Sequence, residues 1–245
     1  MKYLLASIIA FFTLVSVNTA DAKSLPLPLP VHSWTGCYVG GNVGGAWASK
    51  SGSVTDYDNI LTPNSIGSTT LSGLAYGGQV GCDYQFNNSW VIGIRALWDG
   101  SNMRGSNQWI RPGAPAGDVW TNNYNVNSFG TVVGKVGYLV NPTLELYGLG
   151  GLAWVEDKLS WAFSPGVGEF AAGDQARTGW DIGAGLSWMF APNWDVFVEY
   201  DYMAFGTKNM SLPGVGAFAG FPYSANITQN VANVLVGVDY RFSSR

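Results

Sequence analysis

The sequence predicts an all-β protein, an eight-stranded antiparallel up-and-down transmembrane β-barrel. Three observations lead to this prediction: eight segments alternate apolar side chains with small or polar ones, a secretion signal precedes them, and charged residues form only 11% of the chain. Alternation with a period of two indicates a strand, and about ten residues are enough for a tilted strand to cross a bilayer. Spanning helices are excluded because no apolar run reaches the roughly 18 residues that they need.

The N-terminal segment is predicted to deliver and tether the barrel. Residues 1–22 have a basic start, an apolar middle and a small-residue exit at Ala20-Asp21-Ala22, which is the pattern of a cleaved signal peptide. A retained membrane anchor is the alternative. Residues 23–33 contain alternating prolines, which exclude a helix and a central strand and predict an extended periplasmic tether. Residues 34–245 then suit one domain.

The eight strands are predicted in order along residues 34–245. We place them at 34–47, 75–86, 90–100, 128–140, 144–155, 178–190, 194–206 and 230–242. Short turns rich in Asn, Pro and Ser join the second strand to the third, the fourth to the fifth and the sixth to the seventh. The other connections are four long extracellular loops, at 48–74, 101–127, 156–177 and 207–229. Short turns on one side and long loops on the other are typical of bacterial outer-membrane barrels.

One parity along the strands carries ionisable side chains, and we expect it to line the lumen as an ion network. These residues are Asp83, Arg95, Lys135, Glu145, Asp181, Glu199, Asp201, Asp239 and Arg241. A dry, lipocalin-like core is the alternative, but it would have to bury many charges at high cost. Because eight strands leave an interior just wide enough for side chains, we expect a filled lumen and no general diffusion pore.

Aromatic residues are concentrated in two bands, which supports the same orientation. One band lies near the short turns and includes Tyr84, Trp90, Tyr138, Phe190 and Trp194. The other lies toward the long loops and comprises Trp47, Trp98, Trp154, Trp180 and Tyr202. Two such bands are favoured at the two membrane interfaces. The apolar parity between them is therefore expected to face lipid.

Several motifs carry a resemblance to a known family. They include WTGCYVGGNVG at residues 34–44, GGQVG at 77–81 and VGVDYRF at 236–242. On these motifs the chain resembles the small outer-membrane β-barrels of alphaproteobacteria, known as porin-family or outer-membrane immunogenic proteins. The resemblance implies an outer-membrane location, surface-exposed loops and assembly by the barrel-insertion machinery, with Tyr240 and Phe242 as the insertion signal. Relatives are credited with haem binding, adhesion or envelope integrity.

The chain departs from this family in three places. Cys37 and Cys82 stand where relatives usually carry an aromatic residue, and Ser243-Ser244-Arg245 follow the terminal Phe. Val133 and Leu235 occupy inward positions where Arg is expected, which leaves the lumen with more acid than base. Both cysteines lie on the outward parity of neighbouring strands, and the oxidising periplasm allows a disulfide between them. Two independent lipid-facing thiols are the alternative, because the sequence does not give the register.

Catalytic, metal and nucleic-acid roles have little support. The only histidine is His32, in the predicted tether, so a barrel protease or acyltransferase that relies on a His base has no candidate. No Cys or His cluster indicates a metal site, and a net charge of −4 gives no argument for nucleic acid. We therefore expect no enzyme and no cofactor, with one alternative. Haem iron accepts Tyr or Met ligands, and the predicted loops offer Tyr57, Met103, Tyr124, Met210 and Tyr223.

Two functional hypotheses follow. The first is a structural and surface-interaction barrel that contributes to envelope integrity, adhesion or antigenicity. Its partners would be membrane lipid, lipopolysaccharide and host or surface ligands, reached through loops that carry exposed aromatic residues. The second is a transport protein, either a narrow pore or a haem receptor. Lumen blockage is the feature that decides against a pore: if Arg95, Lys135 and Glu199 lie close together at mid-height, they plug the lumen.

Overall fold

The computed structural model describes residues 33–57, 64–109, 119–164 and 168–242. The predicted signal peptide, residues 23–32 of the predicted tether and the three-residue tail after Phe242 lie outside these ranges.

Eight long strands form one closed ring. They are β1 Gly36–Tyr57, β2 Asn64–Phe86, β3 Trp90–Trp109, β4 Val119–Asn141, β5 Leu144–Ser164, β6 Gly168–Ala191, β7 Trp194–Pro213 and β8 Pro222–Phe242. Each strand pairs antiparallel with the next, and β8 pairs with β1 to close the barrel. The predicted eight-stranded up-and-down barrel is therefore confirmed.

The short turns occur where the sequence predicts them. β2 and β3 are separated only by Asn87, Asn88 and Ser89, and both asparagines adopt positive φ, at 51° and 56°. This left-handed conformation is the one that tight hairpins need and that Asn tolerates better than most residues. The β4–β5 and β6–β7 turns are equally tight. Turn chemistry therefore fixes one end of the barrel.

Helical structure is nearly absent from the described part of the chain. The helix that the structure does describe there is a single 3-10 turn at Gly216–Phe218, between β7 and β8. None of the helices in the described ranges is long and apolar enough to span a membrane.

The predicted long loops are wrong over most of their length, because the strands continue through them. Strands of 20 to 24 residues rise roughly 55 Å when tilted as in membrane barrels, whereas the lipid-facing band needs only about 25 Å. The ring of exposed tryptophans at Trp47, Trp98 and Trp180 divides the barrel. We call the part between the short turns and this ring the lower half, and the part beyond it the upper half.

The side-chain pattern reverses at the tryptophan ring. In the lower half, apolar residues such as Val43, Ile94 and Ile182 point outward and are exposed. In the upper half, polar residues such as Ser68 and Ser72 are exposed, while Leu71 between them is buried. The period of two persists, but its apolar face now points inward. The predicted strands end where the outward face becomes polar.

Candidate functional site: the lumen and the upper half of the barrel

A first ion cluster closes the lumen near the short turns. The Lys135 ammonium lies 2.7 Å from an Asp83 carboxylate oxygen and 3.1 Å from one of Glu145. The Arg241 guanidinium pairs with Asp83 at 2.9 Å and with Asp195 at 3.2 Å. All five side chains are buried, so the cluster is a connected network of charge-assisted hydrogen bonds across the barrel.

Trp34 fills the space beneath this cluster. Its indole N–H donates to the Pro142 carbonyl oxygen, and the Arg241 guanidinium lies 4.8 Å from its ring centroid. Arg241 also donates to the Trp34 carbonyl oxygen at 3.0 Å. Trp34 packs with Val91, Leu139 and Met189 in a small buried cluster. Trp34 and three apolar side chains therefore fill the interior at the end of the barrel with the short turns.

A second ion cluster lies higher in the lumen around Arg95. Its guanidinium is 2.5 Å from Glu199 and 4.0 Å from Asp201. The Tyr147 hydroxyl donates to the same Glu199 oxygen at 2.7 Å. Asp181 is buried within electrostatic range of this pair. Arg95 is thus the cation that neighbours three carboxyl groups, those of Glu199, Asp201 and Asp181.

All nine residues of the predicted ion network lie inside the barrel, but they form separate groups. Of the three residues expected to plug the lumen, Arg95 and Glu199 pair directly, whereas Lys135 pairs with Asp83 and Glu145 in the lower cluster. Tyr147 connects the two clusters, because Lys135 sits 5.1 Å from the ring centroid of the tyrosine that bonds Glu199. Asp239 accepts hydrogen bonds from the Gln79 amide at 2.8 Å.

Sequence reasoning missed several lumen residues. Asp195 shares the inward parity of β7 with Glu199, and Tyr147 shares that of β5 with Glu145, so strict parity would have found both. Tyr38 is buried on β1, which carries no predicted network residue. Trp34 precedes β1, so no periodicity places it, and its role depends on how the chain closes the ring.

Acidic groups outnumber basic ones in the lower lumen. The buried carboxyl groups are those of Asp83, Asp99, Glu145, Asp181, Asp195, Glu199, Asp201 and Asp239, against the cations Arg95, Lys135 and Arg241. Val133 and Leu235 are buried and apolar at inward positions where the resemblance implies Arg. Within the described ranges, no three of these acids are grouped closely enough to hold a metal ion.

A third, smaller ion cluster lies in the upper half. Asp157 pairs with Lys50 at 2.9 Å and with Arg177 at 3.4 Å, and it accepts a hydrogen bond from Gln229 at 3.0 Å. Burial lowers the pKa of Lys50 and of Arg177, and the nearby Asp157 carboxylate opposes that effect in both. Asp157 thus stabilises two buried cations in the interior of the upper half.

The upper half has a hydrophobic core, which the loop prediction did not anticipate. Buried members include Ile66, Leu71, Met103, Tyr124, Leu159, Trp161, Phe170, Met210, Leu212, Tyr223 and Ile227. Phe170 is central: its ring centroid lies 4.9 Å from that of Trp120, 5.5 Å from that of Tyr223 and 6.2 Å from that of Trp161. Close-packed rings leave little free volume. The core therefore fills the barrel interior above the ion clusters.

The residues proposed as loop ligands of haem belong mostly to this core. Met103, Tyr124, Met210 and Tyr223 are at most 3% exposed, and the side chain of Tyr57 lies outside the described part of the structure. The expected exposed aromatic loops are also wrong, because Trp120, Trp161 and Phe170 are buried. Phe221, at 42% exposed, does reach the surface.

The connection between β7 and β8 packs against the aromatic core. The backbone N–H of Val215 donates to the Phe170 carbonyl oxygen at 2.8 Å, and the rings of Phe218 and Phe170 are 5.8 Å apart. Gly216 and Gly220 adopt positive φ, which lets the chain turn sharply here. Phe218 thus extends the aromatic packing around Phe170.

The outward face near the short turns carries the remaining predicted features. Cys37 and Cys82 are directly opposite in the β1–β2 register and are joined by a disulfide. Tyr240 and Phe242 are exposed on β8, with ring centroids 5.1 Å apart. All four lie at the height of the first aromatic band.

Comparison with known proteins agrees with this geometry. The family model described as "Outer membrane protein beta-barrel domain" matches residues 7–242. The chain is 34% identical over 251 residues to the 31 kDa outer-membrane immunogenic protein of Brucella melitensis, with 98% of each chain covered. An uncharacterised protein of Coxiella burnetii is 25% identical over 258 residues, covering 99% of this chain and 97% of that protein.

A solved structure shows the same fold at low identity. The crystal structure of the outer membrane protease OmpT from Escherichia coli has a TM-score of 0.52 and 11% identity, over 84% of this chain and 97% of that chain. At this identity the likeness concerns the fold alone.

Proposed function

We propose a structural and surface-interaction role for this chain, which belongs to the family of outer membrane proteins with a β-barrel domain. The protein lies in the outer membrane. By the general asymmetry of such barrels, its short turns face the periplasm and its upper half faces outward. The lower half anchors the barrel in lipid, and the upper half holds the loop tips above the membrane.

The hydrophobic core of the upper half is the observation that carries this proposal. A pore needs a continuous polar path, whereas Trp161, Phe170 and their neighbours close the lumen above the ion clusters. The same packing makes the upper half a rigid support for its tips. Rigid scaffolds with variable tips are where binding evolves.

The proposal includes the absence of catalysis and of a resident cofactor. OmpT is a protease, but its likeness to this chain extends only to the fold. The only histidine of the chain is His32, which precedes the barrel. Haem capture by Tyr124, Met210 or Tyr223 would require the core to open, so we favour the surface role.

The partners that we propose fall into three groups. Lipid and lipopolysaccharide contact the barrel wall, and the insertion machinery reads Tyr240 and Phe242. Surface or host ligands meet the tips, where Phe221 is exposed. The proposal includes no nucleic-acid partner.

Planar-bilayer recording of the refolded mature protein tests the sealed barrel. We expect no channel steps, with or without hemin, from protein that shows the heat-modifiable mobility of a folded barrel. Stable steps would overturn the proposal in favour of transport. The surface role is tested with a deletion strain, measured for detergent sensitivity and for adhesion to fibronectin, laminin and collagen. A strain unchanged in all of these assays would contradict it.

A further inference from the structure

A polar groove runs along the outer wall of the upper half, across β1, β2, β7 and β8. Its volume is about 560 Å³. Its lining consists of Ser, Gly, Thr and Asn residues: Ser51, Gly52, Ser53, Ser65, Gly67, Ser68, Thr207, Asn226 and Thr228. None of the lining residues is charged. The groove lies outside the barrel and is separate from the lumen.

The lining presents hydroxyl and amide groups at short intervals. Ser51 and Ser68 are opposite each other in the β1–β2 register and both are exposed. The Thr207 and Thr228 hydroxyls lie 2.6 Å apart on β7 and β8. Gly67 is exposed and adds no side chain to the lining, so a ligand can approach the backbone closely there. Uncharged donors and acceptors of this kind match the hydroxyls of a saccharide and give no special attraction to phosphate.

The height and direction of the groove indicate its occupant. Ser51 is four residues beyond Trp47, which lies at the outer membrane interface, so the groove begins about 10 Å above that interface for a strand of normal rise and tilt. The sugars of lipopolysaccharide occupy this layer. The groove opens sideways into the layer, and the mouth of the barrel faces the exterior instead. A large partner outside the cell does not reach it easily.

We propose that this groove binds uncharged sugars of the core oligosaccharide of lipopolysaccharide in the protein's own membrane. The proposal rests on the orientation given under the proposed function, and it adds a specific lateral partner to that role. Bound saccharide would fix neighbouring lipopolysaccharide molecules to the barrel wall, while the tips remain free for other ligands.

The test uses detergent-refolded mature protein titrated with the core oligosaccharide released from lipopolysaccharide, and separately with lipid A. The wild type is expected to bind the oligosaccharide. Ser51→Trp fills the groove and should weaken this binding about tenfold or more, as expected from the loss of two or so hydrogen bonds. Ser51→Thr keeps the hydroxyl and should bind as the wild type does.

The matched control is Asn123→Trp, at an exposed outward position of β4 away from the groove. Heat-modifiable mobility establishes that each variant is folded. Failure of the wild type to bind the oligosaccharide, or equal loss in both Trp variants, overturns the proposal, as does binding to lipid A that accounts for all the affinity. The binding assay measures neither channel conductance nor adhesion. A negative result there therefore leaves the proposed function standing, and failure of the proposed function is detected by its own two assays.

Discussion

At the scale of single residues, buried charge dominates the lower half. Arg95 is the nearest cation to Glu199, Asp201 and Asp181, and it also acts electrostatically on Asp99. A buried ion pair adds little net stability compared with apolar packing, but removing one partner leaves an uncompensated charge. The energetic importance of Arg95 therefore lies in the carboxyl groups around it.

Arg95→Ala is expected to destabilise the barrel by about 3–5 kcal/mol, because it leaves a buried carboxylate cluster without its cation. The measurement is urea unfolding in lipid vesicles. Arg104→Ala is the control, since Arg104 is exposed on the outer wall and its loss should cost less than about 0.5 kcal/mol. Equal unfolding midpoints for the two variants would contradict the role assigned to Arg95.

The cysteine pair gives a second prediction at this scale. Cys37 and Cys82 are separated by 45 positions, and cross-linking a loop of this length stabilises by about 4 kcal/mol in the chain-entropy description. We expect protein from the outer membrane to resist alkylation until it is reduced, and the double Cys→Ser variant to unfold at lower urea. Alkylation of both thiols without a reductant would show that the bond does not form.

Parity gave the direction of lumen residues from sequence but not their partners. Lys135 and Arg95 both point inward as expected, yet they bond different acids, because partners depend on the stagger between strands. That stagger is set by closure of the whole ring, which no local pattern encodes. Trp34 illustrates the same limit, since its contact with Arg241 joins the segment before β1 to the end of β8.

At the scale of strands, the sequence located the lower halves well and missed the upper ones. The alternation continues past Trp47 and Trp98, but its apolar face turns inward when the outside changes from lipid to water. Ser, Thr, Asn and Gly on the outward face then resemble loop composition. The apolar residues that alternate with these polar ones, such as Leu71 and Leu159, were the signal that the strands continue.

Trypsin distinguishes strands from loops in these segments. Of the basic residues in the predicted loops, Lys50, Arg104, Lys158, Arg177 and Lys208 lie within strands. Proteases need a flexible, unpaired backbone, so we expect no cleavage after these five residues in folded protein. Peptide mass mapping provides the measurement.

The same protein unfolded by heating in detergent is the control, and it should be cut at all five positions. Cleavage after Lys158 or Lys208 in folded protein would mean that the upper parts of β5 and β7 are loops after all. Arg111 lies outside the described part of the chain, and the prediction does not include it.

At the scale of the whole molecule, the proposed function implies two seals in series. We assign the lower seal to the ion clusters and Trp34, and the upper seal to the aromatic core with Phe218. Either seal alone is enough to block ion flow, so the lumen conducts only when both are disrupted. A single change in either half should therefore leave the barrel electrically silent.

Conductance of three folded variants tests this arrangement. Replacing Arg95, Lys135 and Glu199 with Ala removes much of the lower seal but should give no channel steps, because the rings above remain packed. Trp161→Ala with Phe170→Ala opens the upper seal and should also be silent, because the charged clusters remain below. The combination of all five changes should conduct, and its steps should be small because an eight-stranded ring is narrow. Steady steps from the variant that lacks only the three charged side chains would show that the upper core is no barrier. Silence of the folded variant with all five changes would show that another part of the lumen holds it closed.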